Sequence, residues 1–507
     1  MDHIDPERIV RAEPESTNVN QDDASPRRDV CVIGAGPSGL AALKVLRDHP
    51  LFQQRIWNVV AYEARESIGG IWLPSNSTDD TGKEVPATPL YDALTTNLPH
   101  PVMAYTSLSF PPSTPLFPPA STVLKYLETY AEMFDLIQHI QFRTRVVDAS
   151  WDASRGKWRV RVRRVGSEEE DEEEYFDLLV VANGHYAKPR YPSTPGVQQW
   201  LDAGKASHSV YYRNPSHPSA LATAQTVLVI GGGPSGLDIS SELRVSAHKR
   251  VVHSVSNGAN EDSEDGRMRR RGRVKAFLDV ESGEVEFEDG TREKGIEYCV
   301  LATGYQHDLP FLHEPELHVG FPPAEPPPLP SGLYNSTYHV FPLAKHIFPI
   351  VSTIPVGKMA FLGVPWRVVP FPLVEAQMQA VVSVLESPER LDVMREAVDI
   401  VSRYEDIRAS VLKQQQPSLP ASALPVAIGK VWHMLEEEKQ FDYRDGLGEF
   451  AGVHERVPGW VREMYGAKGV LREEWRSLER AGEAGSWIRG VGEGGEGGWV
   501  ELMRRLL

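Results

Sequence analysis

The chain has 507 residues, 41% hydrophobic and 24% charged, enough apolar mass for roughly two to four domains. Its 70 acidic residues outnumber 53 basic ones, and the formal net charge of -17 excludes a nucleic-acid binder working through a basic field. Only two cysteines are present, Cys31 and Cys299, each inside an apolar run, which excludes a disulfide framework, a dithiol redox centre and a cysteine-built zinc site.

Residues 1–27 are polar, acidic and without periodicity, and read as a disordered arm rather than a leader. No apolar run is long enough to span a bilayer, so a cytoplasmic chain without a transmembrane segment is expected. RRDVCVIG reads as a buried strand, PSGLAALKVLRDH as the helix after it, and IWNVVAYEA as a second strand. From Pro74 to Pro119 the Pro-, Ser- and Thr-rich chain suggests long surface loops. A helix opens at Ser121, with Val123, Leu127, Tyr130, Ala131 and Phe134 on one face. Strands follow at FRTRVVDASW, KWRVRVRRV and FDLLVVANG, with Glu168 to Glu174 as a solvated hairpin tip.

After the Pro-rich joint KPRYPSTPG, a second strand, glycine turn and helix appear at TVLVIGGGPSGLDISSEL, followed by the strand RVVHSVS. Residues 266–304 read as a hairpin closing on YCVLATGY, and Pro322 to Pro330 as a connector. FLGVP, a helix from near Phe371 and a mostly helical tail complete the chain, with Gly490 to Gly498 expected as a flexible linker.

The two glycine turns carry the chemistry. In Gly34-Ala35-Gly36-Pro37-Ser38-Gly39, Gly34 permits the tight turn, Gly36 admits a pyrophosphate to the backbone, and Gly39 lets the helix approach the strand. Glu63, at the end of the next strand, offers a carboxylate to a ribose. The second turn, Gly231-Gly232-Gly233-Pro234-Ser235-Gly236, places Gly231, Gly233 and Gly236 at the same offsets. The following strand ends in Ser254 and Ser256 with no acid, which favours NADPH over NADH because a carboxylate would repel a 2′-phosphate. The cluster from Arg267 to Arg273 is a candidate phosphate clamp, but its simpler reading is a solvated basic loop. Two dinucleotide sites without a dithiol point to a flavin reduced by nicotinamide. The 16 histidines form no H-x-x-x-H pair, so no metal site is expected, and no G-x-S-x-G element supports serine hydrolysis.

From about Asp29 to Val382 the sequence resembles the flavin-containing monooxygenase family. The resemblance runs through GAGPSGLAAL, YEARESIGGIW (Glu63, Gly69, Gly70, Trp72), YDALTTNLPHPVMAY, VVANGHYAKPRYPSTPG, GGGPSGLD, LATGY and FLGVPWRVVPFPLVEAQ, in that order. Of the family's F-x-G-x-x-x-H-x-x-x-Y/F fingerprint, Gly204, His208 and Tyr212 are present, while Asp202 replaces the leading aromatic. The resemblance implies an α/β fold of two nested, Rossmann-like, three-layer dinucleotide-binding domains, the NADPH domain inserted into a discontinuous FAD domain. The expected division is an arm at 1–27, FAD domain at 28–190, NADPH domain at 191–304, and the rest of the FAD domain with a helical tail at 305–507.

It further implies FAD held by Gly34, Gly36, Gly39, Glu63, Gly70, Trp72 and Gln377, and NADPH held by Gly231, Gly233, Gly236 and Ser254. Asn97 is the expected catalytic residue, its amide supporting a flavin hydroperoxide, and His208 and Tyr212 are expected as linkers between the domains. The helix beginning near Phe371 would offer its N-terminal dipole to reduced flavin. The implied activity is N- or S-oxygenation of a small soft nucleophile by O2. Tyr212, where Baeyer–Villiger enzymes carry Trp, tilts against ketone oxygenation, which stays open as an alternative. A non-catalytic nucleotide-binding protein is a third reading, opposed by the Asn97 segment.

Overall fold

The structure, a computed structural model, describes residues 27–75, 85–168, 170–256, 258–414 and 421–507. The expected N-terminal arm lies almost wholly outside the described residues.

Two parallel sheets are built on one plan. The first begins with β1 (Arg28–Ile33), α1 (Pro37–Asp48), β2 (Trp57–Tyr62), α2 (Ala120–Met133) and β3 (Ile140–Gln141). It continues through an antiparallel meander, β4 (Thr144–Asp152), β5 (Lys157–Arg164) and β6 (Glu172–Phe176), into β7 (Leu178–Val181). Alternation along β1 explains the layering, because successive side chains in a strand face opposite ways. Val30 and Val32 pack into a core with Leu40, Leu43 and Leu127 of the helices. Cys31 and Ile33 face the meander, packing with Trp158, Val160 and Phe176. On α2, Val123, Tyr126, Leu127, Tyr130 and Ala131 are buried at helical spacing.

The second sheet uses β8 (Ala206–His208), β9 (Thr226–Ile230), α3 (Pro234–Val245), β10 (Arg250–Ser254), β11 (Glu261–Asp262), β12 (Met268–Arg271) and β13 (Tyr298–Leu301). Its order is β11-β12-β10-β9-β13-β8, parallel except for β11. Val227 and Val229 pack with Ile239 and Leu243 of α3, whereas Leu228 packs with Phe277, Val285 and Phe287 of a second antiparallel meander. The chain then returns to the first sheet. β14 (Met359–Phe361) pairs with β7, giving the order β14-β7-β1-β2-β3, and α4 (Pro370–Glu386) packs against α1.

The tail folds as α5 (Val393–Gln414), α6 (Leu424–Trp432), α7 (Glu438–Ala451), α8 (Gly459–Gly466), α9 (Lys468–Ala481) and α10 (Glu496–Leu506). Its Trp432, Phe441, Trp475, Trp499 and Leu502 join the same core as α1 and α4. Among the described residues, no helix is long and apolar enough to cross a membrane.

Three local expectations are corrected. The Gly490–Gly498 stretch is a packed turn that runs into the first turn of α10, with Val491 O accepting from Ser113 N at 3.0 Å and Gly490 N donating to Ser113 Oγ at 3.1 Å. Arg269, Arg270 and Arg271 belong to β12 rather than to a loop. In the acidic run, Glu172 to Glu174 form part of β6 opposite the basic strand β5, and Asp171 bonds Arg163 Nε at 2.7 Å.

Candidate active site

The first glycine turn closes between β1 and α1. A Cβ at Gly34, whose φ is +101°, would lie 2.7 Å from Ala182 O, and one at Gly39 would lie 1.9 Å from Gly34 O. These two positions are reserved for glycine by the fold itself. Gly36 differs. Its φ of -75° suits any residue, and its added Cβ would first meet Gly70 Cα, at 3.3 Å. Glu63, one residue past β2 and buried, accepts from Ala35 N at 2.8 Å and from Arg65 N at 2.9 Å. Its carboxylate therefore braces the turn at the strand end where a ribose would lie. Arg65 in turn holds Gly70 O at 2.9 Å, beside the short helical turn Gly70–Trp72. No side chain caps α1, so its first N–H groups stay available to an anion.

Gln377 reaches this turn indirectly. Buried on α4, it accepts from Gly363 N at 2.9 Å and donates to Tyr443 Oη at 3.0 Å. A Cβ at Gly363 would lie 2.7 Å from Ser38 Oγ, so Gln377 positions a backbone segment pressed on the start of α1.

The second turn repeats the geometry. Cβ atoms at Gly231 and Gly236 would lie 2.1 Å from Ala302 O and 2.0 Å from Gly231 O, whereas one at Gly233 meets nothing within 4 Å. Ser254, the last residue of β10, is buried and donates to Gly272 O at 2.8 Å.

Asn97 lies on a loop, exposed, with no side-chain hydrogen bond among the described residues. The segment carrying it is tied down on both sides. Tyr91 Oη donates to Asp238 of α3 at 3.0 Å, and Tyr105 Oη donates to Pro37 O of α1 at 2.7 Å. Burial pushes both phenols upward, Asp238 adding to the effect on Tyr91, so both remain donors at neutral pH. The segment that carries Asn97 is thus tied at its two ends to the helices that follow the two glycine turns.

His208 accepts from Val210 N through Nδ1 at 3.1 Å, which leaves Nε2 to donate to Gly304 O at 2.9 Å. Burial lowers its pKa to about 4, keeping the ring neutral. Tyr212 Oη donates to Glu242 of α3 at 2.8 Å.

The sequence profile of the Flavin-binding monooxygenase-like family matches residues 27–261. Flavin-containing monooxygenase FMO GS-OX-like 2 of Arabidopsis thaliana is 30% identical over 487 residues, 89% of this chain and 92% of that protein. The chain belongs to the flavin-containing monooxygenase family. It is therefore an oxidoreductase that uses FAD and NADPH. A solved S-allyl-L-cysteine S-oxygenase from Allium sativum is similar across 88% of this chain and 93% of its own, with 28% identity and a TM-score of 0.70. Tmm from Pelagibacter sp. strain HTCC7211, at 19% identity and a TM-score of 0.65, shares the fold.

The residues present fit a flavin monooxygenase's two cofactors. The Cβ position of Gly233 is open and that of Gly36 faces the Gly70 backbone at 3.3 Å, each ahead of an uncapped helix. Three supporting residues escaped the sequence reading. Glu375, 3% exposed on α4, accepts from Thr106 N at 2.7 Å, Thr106 Oγ1 at 2.6 Å and Ser107 Oγ at 2.6 Å, anchoring the far end of the Asn97 segment. A lone acid in the apolar run PFPLVEAQ was the available signal. Arg213 Nη1 donates to Leu90 O at 3.0 Å and Val210 O at 2.9 Å, stitching the near end to the fingerprint. Arg472 of α9 pairs with Asp238 at 2.9 Å, and nothing local in the sequence announces that pairing.

Proposed function

We propose that this flavin-containing monooxygenase places one oxygen atom of O2 on the sulfur or nitrogen of a small soft nucleophile, with sulfur favoured. Residues 28–190 and 305–507 are assigned to FAD and residues 191–304 to NADPH. The observation carrying this reading is the span from Tyr91 to Tyr105, which is bonded at its two ends to the two dinucleotide helices and carries an exposed amide. Similarity to an S-oxygenase over most of the chain supports sulfur as the acceptor.

In this reading Gly34, Gly36, Gly39, Glu63, Gly70 and Trp72 surround FAD, with Gln377 supporting the site from behind through Gly363, and Gly231, Gly233 and Gly236 surround NADPH, with Ser254 closing the end of β10 beneath it. Bound FAD supplies the activated oxygen, and the protein positions it and excludes water. The overall reaction takes NADPH, a proton, O2 and substrate to NADP+, water and the oxygenated product. Product analysis with thioethers, amines and ketones tests it. Sulfoxide or N-oxide is expected, whereas ester or lactone from a ketone, with inert thioethers and amines, would move the chain to the Baeyer–Villiger class.

The role of Asn97 is tested by Asn97→Leu. The variant should keep FAD and accept hydride from NADPH at the wild-type rate. With FAD and NADPH bound over this loop, loss of one hydrogen-bond partner should shorten the oxygenating state about tenfold or more. Product formed per NADPH consumed should then fall, with hydrogen peroxide making up the difference. Unchanged coupling would return Asn97 to an ordinary loop residue.

A further inference from the structure

The basic cluster on β12 is spoken for by acids. Arg269 and Arg271 share Glu293 at 2.5 and 2.8 Å, Arg271 also meets Asp262 at 2.6 Å, and Arg270 meets Glu261 at 3.1 Å. A different set of cations has no such match. Lys430, exposed on α6, has no ion pair or hydrogen bond among the described residues. Its ammonium lies 5.5 Å from the centre of the Tyr338 ring, over which the Arg190 guanidinium stacks at 3.7 Å. Desolvation lowers the Lys430 pKa, and the charges that reinforce the shift, Arg273 and Arg190, are both positive. Among the described residues Arg273 pairs only with Glu288, at 3.7 Å, and both of those side chains are more than half exposed. Like charges converge beside the Tyr338 ring at a cost, which an anion bound among them would offset.

The position of the cluster indicates which anion. Arg190 is fixed to the chain three residues past β13, its N donating to Gly304 O at 2.9 Å and its Nη2 to Thr337 O at 2.6 Å. Arg273 stands two residues past β12, whose last residue, Arg271, pairs in register with Ser254 at the end of β10. The strands β12 and β13 flank the β10-β9 pair and run parallel to it. Arg190 and Arg273 therefore lie beyond the same sheet edge, on either side of the Gly231 turn. In a doubly wound sheet that edge is where the ligand binds.

We propose that Lys430, delivered by the C-terminal helices, contacts a phosphate group of the nicotinamide dinucleotide over the second glycine turn, with Arg190 and Arg273 beside it. The proposal rests on the reading that this turn holds NADPH. Its chemistry is shared by the pyrophosphate and the 2′-phosphate, and the choice of probes separates them. It also gives the tail a function that its sequence does not suggest, since the coenzyme's charge would then be read from a helix outside the nucleotide domain.

The test is calorimetric titration of the full-length, FAD-loaded protein with 2′,5′-ADP, ADP-ribose and 5′-AMP, comparing wild type with Lys430→Met and Lys430→Arg. Methionine keeps the aliphatic stem against Tyr338 and removes the charge. A charge-assisted phosphate contact predicts affinity weaker by about tenfold or more in Lys430→Met, restored largely by Lys430→Arg. Weakening confined to 2′,5′-ADP identifies the 2′-phosphate, and weakening of ADP-ribose as well identifies the pyrophosphate. Unchanged affinity for all three probes in Lys430→Met overturns the proposal. Wild-type protein that binds none of them overturns instead the assignment of NADPH to the second turn. FAD content and melting temperature, expected to be unchanged in both variants, show that an affinity loss is not a folding loss.

Discussion

Gly36→Val is expected to emerge from purification colourless, while wild type emerges yellow with about one FAD per chain. The choice of position matters. A side chain at Gly34 or Gly39 would strike backbone oxygens at 2.7 and 1.9 Å, so its effect on the cofactor could not be separated from damage to the fold. At Gly36 the backbone angle suits valine, and the nearest obstacle is Gly70 Cα at 3.3 Å. The valine methyls would occupy the gap between these glycines and the approach to the first N–H groups of α1, where a pyrophosphate must come within hydrogen-bonding distance. The measurement is flavin absorbance per protein, before and after incubation with excess FAD. Added FAD should also raise the melting temperature of wild type and leave the variant unmoved, because a ligand at about 100 times its Kd stabilises by roughly 2.7 kcal/mol. A yellow Gly36→Val protein with a wild-type melting curve would remove FAD from the first turn.

The parts of this fold legible in the sequence are those whose cause is local. RRDVCVIG announces β1 because a short β-branched run ending in a glycine turn can be buried on both faces, and β1 does pack Val30 and Cys31 into opposite layers. The helix beginning at Ser121 was readable from its apolar spacing and starts within one residue of that position. What failed was set by partners distant in the chain. Arg269 and Arg271 become strand residues because β10 comes alongside them, and Glu293, from the far side of the meander, then pairs with both. Gly492 looks like linker, yet a Cβ on it would lie 2.5 Å from Trp499 Nε1 and its neighbours bond to Ser113, a contact spanning more than three hundred residues. The site divides in the same way. The glycines and Glu63 follow from spacing, whereas the supports of the Asn97 segment, namely Glu375, Arg213 and the Tyr91–Asp238 bond, arise only when separate segments meet.

Gly233→Val should retain FAD fully and lose reduction by NADPH. The second turn provides an unusually clean position for this test. Gly233 has φ -78° and ψ 175°, extended backbone that valine adopts freely, and its added Cβ meets no protein atom within 4 Å. The fold therefore has no steric reason to object, unlike at Gly231 and Gly236, where backbone oxygens stand about 2 Å away. Whatever valine displaces must come from outside the chain. The open space fronts the N-terminus of α3, which has no side-chain cap, and a dinucleotide's pyrophosphate is the group that such a turn receives. With the pyrophosphate held off, the nicotinamide cannot be registered against the flavin, and effective molarity at the hydride donor is lost. Stopped-flow bleaching of the flavin by NADPH should disappear in the variant, while dithionite still reduces it and the FAD content stays at the wild-type value. NADH is expected to reduce wild type much more slowly than NADPH, since no acid at the end of β10 waits for a 2′-hydroxyl. Wild-type bleaching in Gly233→Val would show that hydride reaches the flavin without the second turn, and the two-site reading would fall with it.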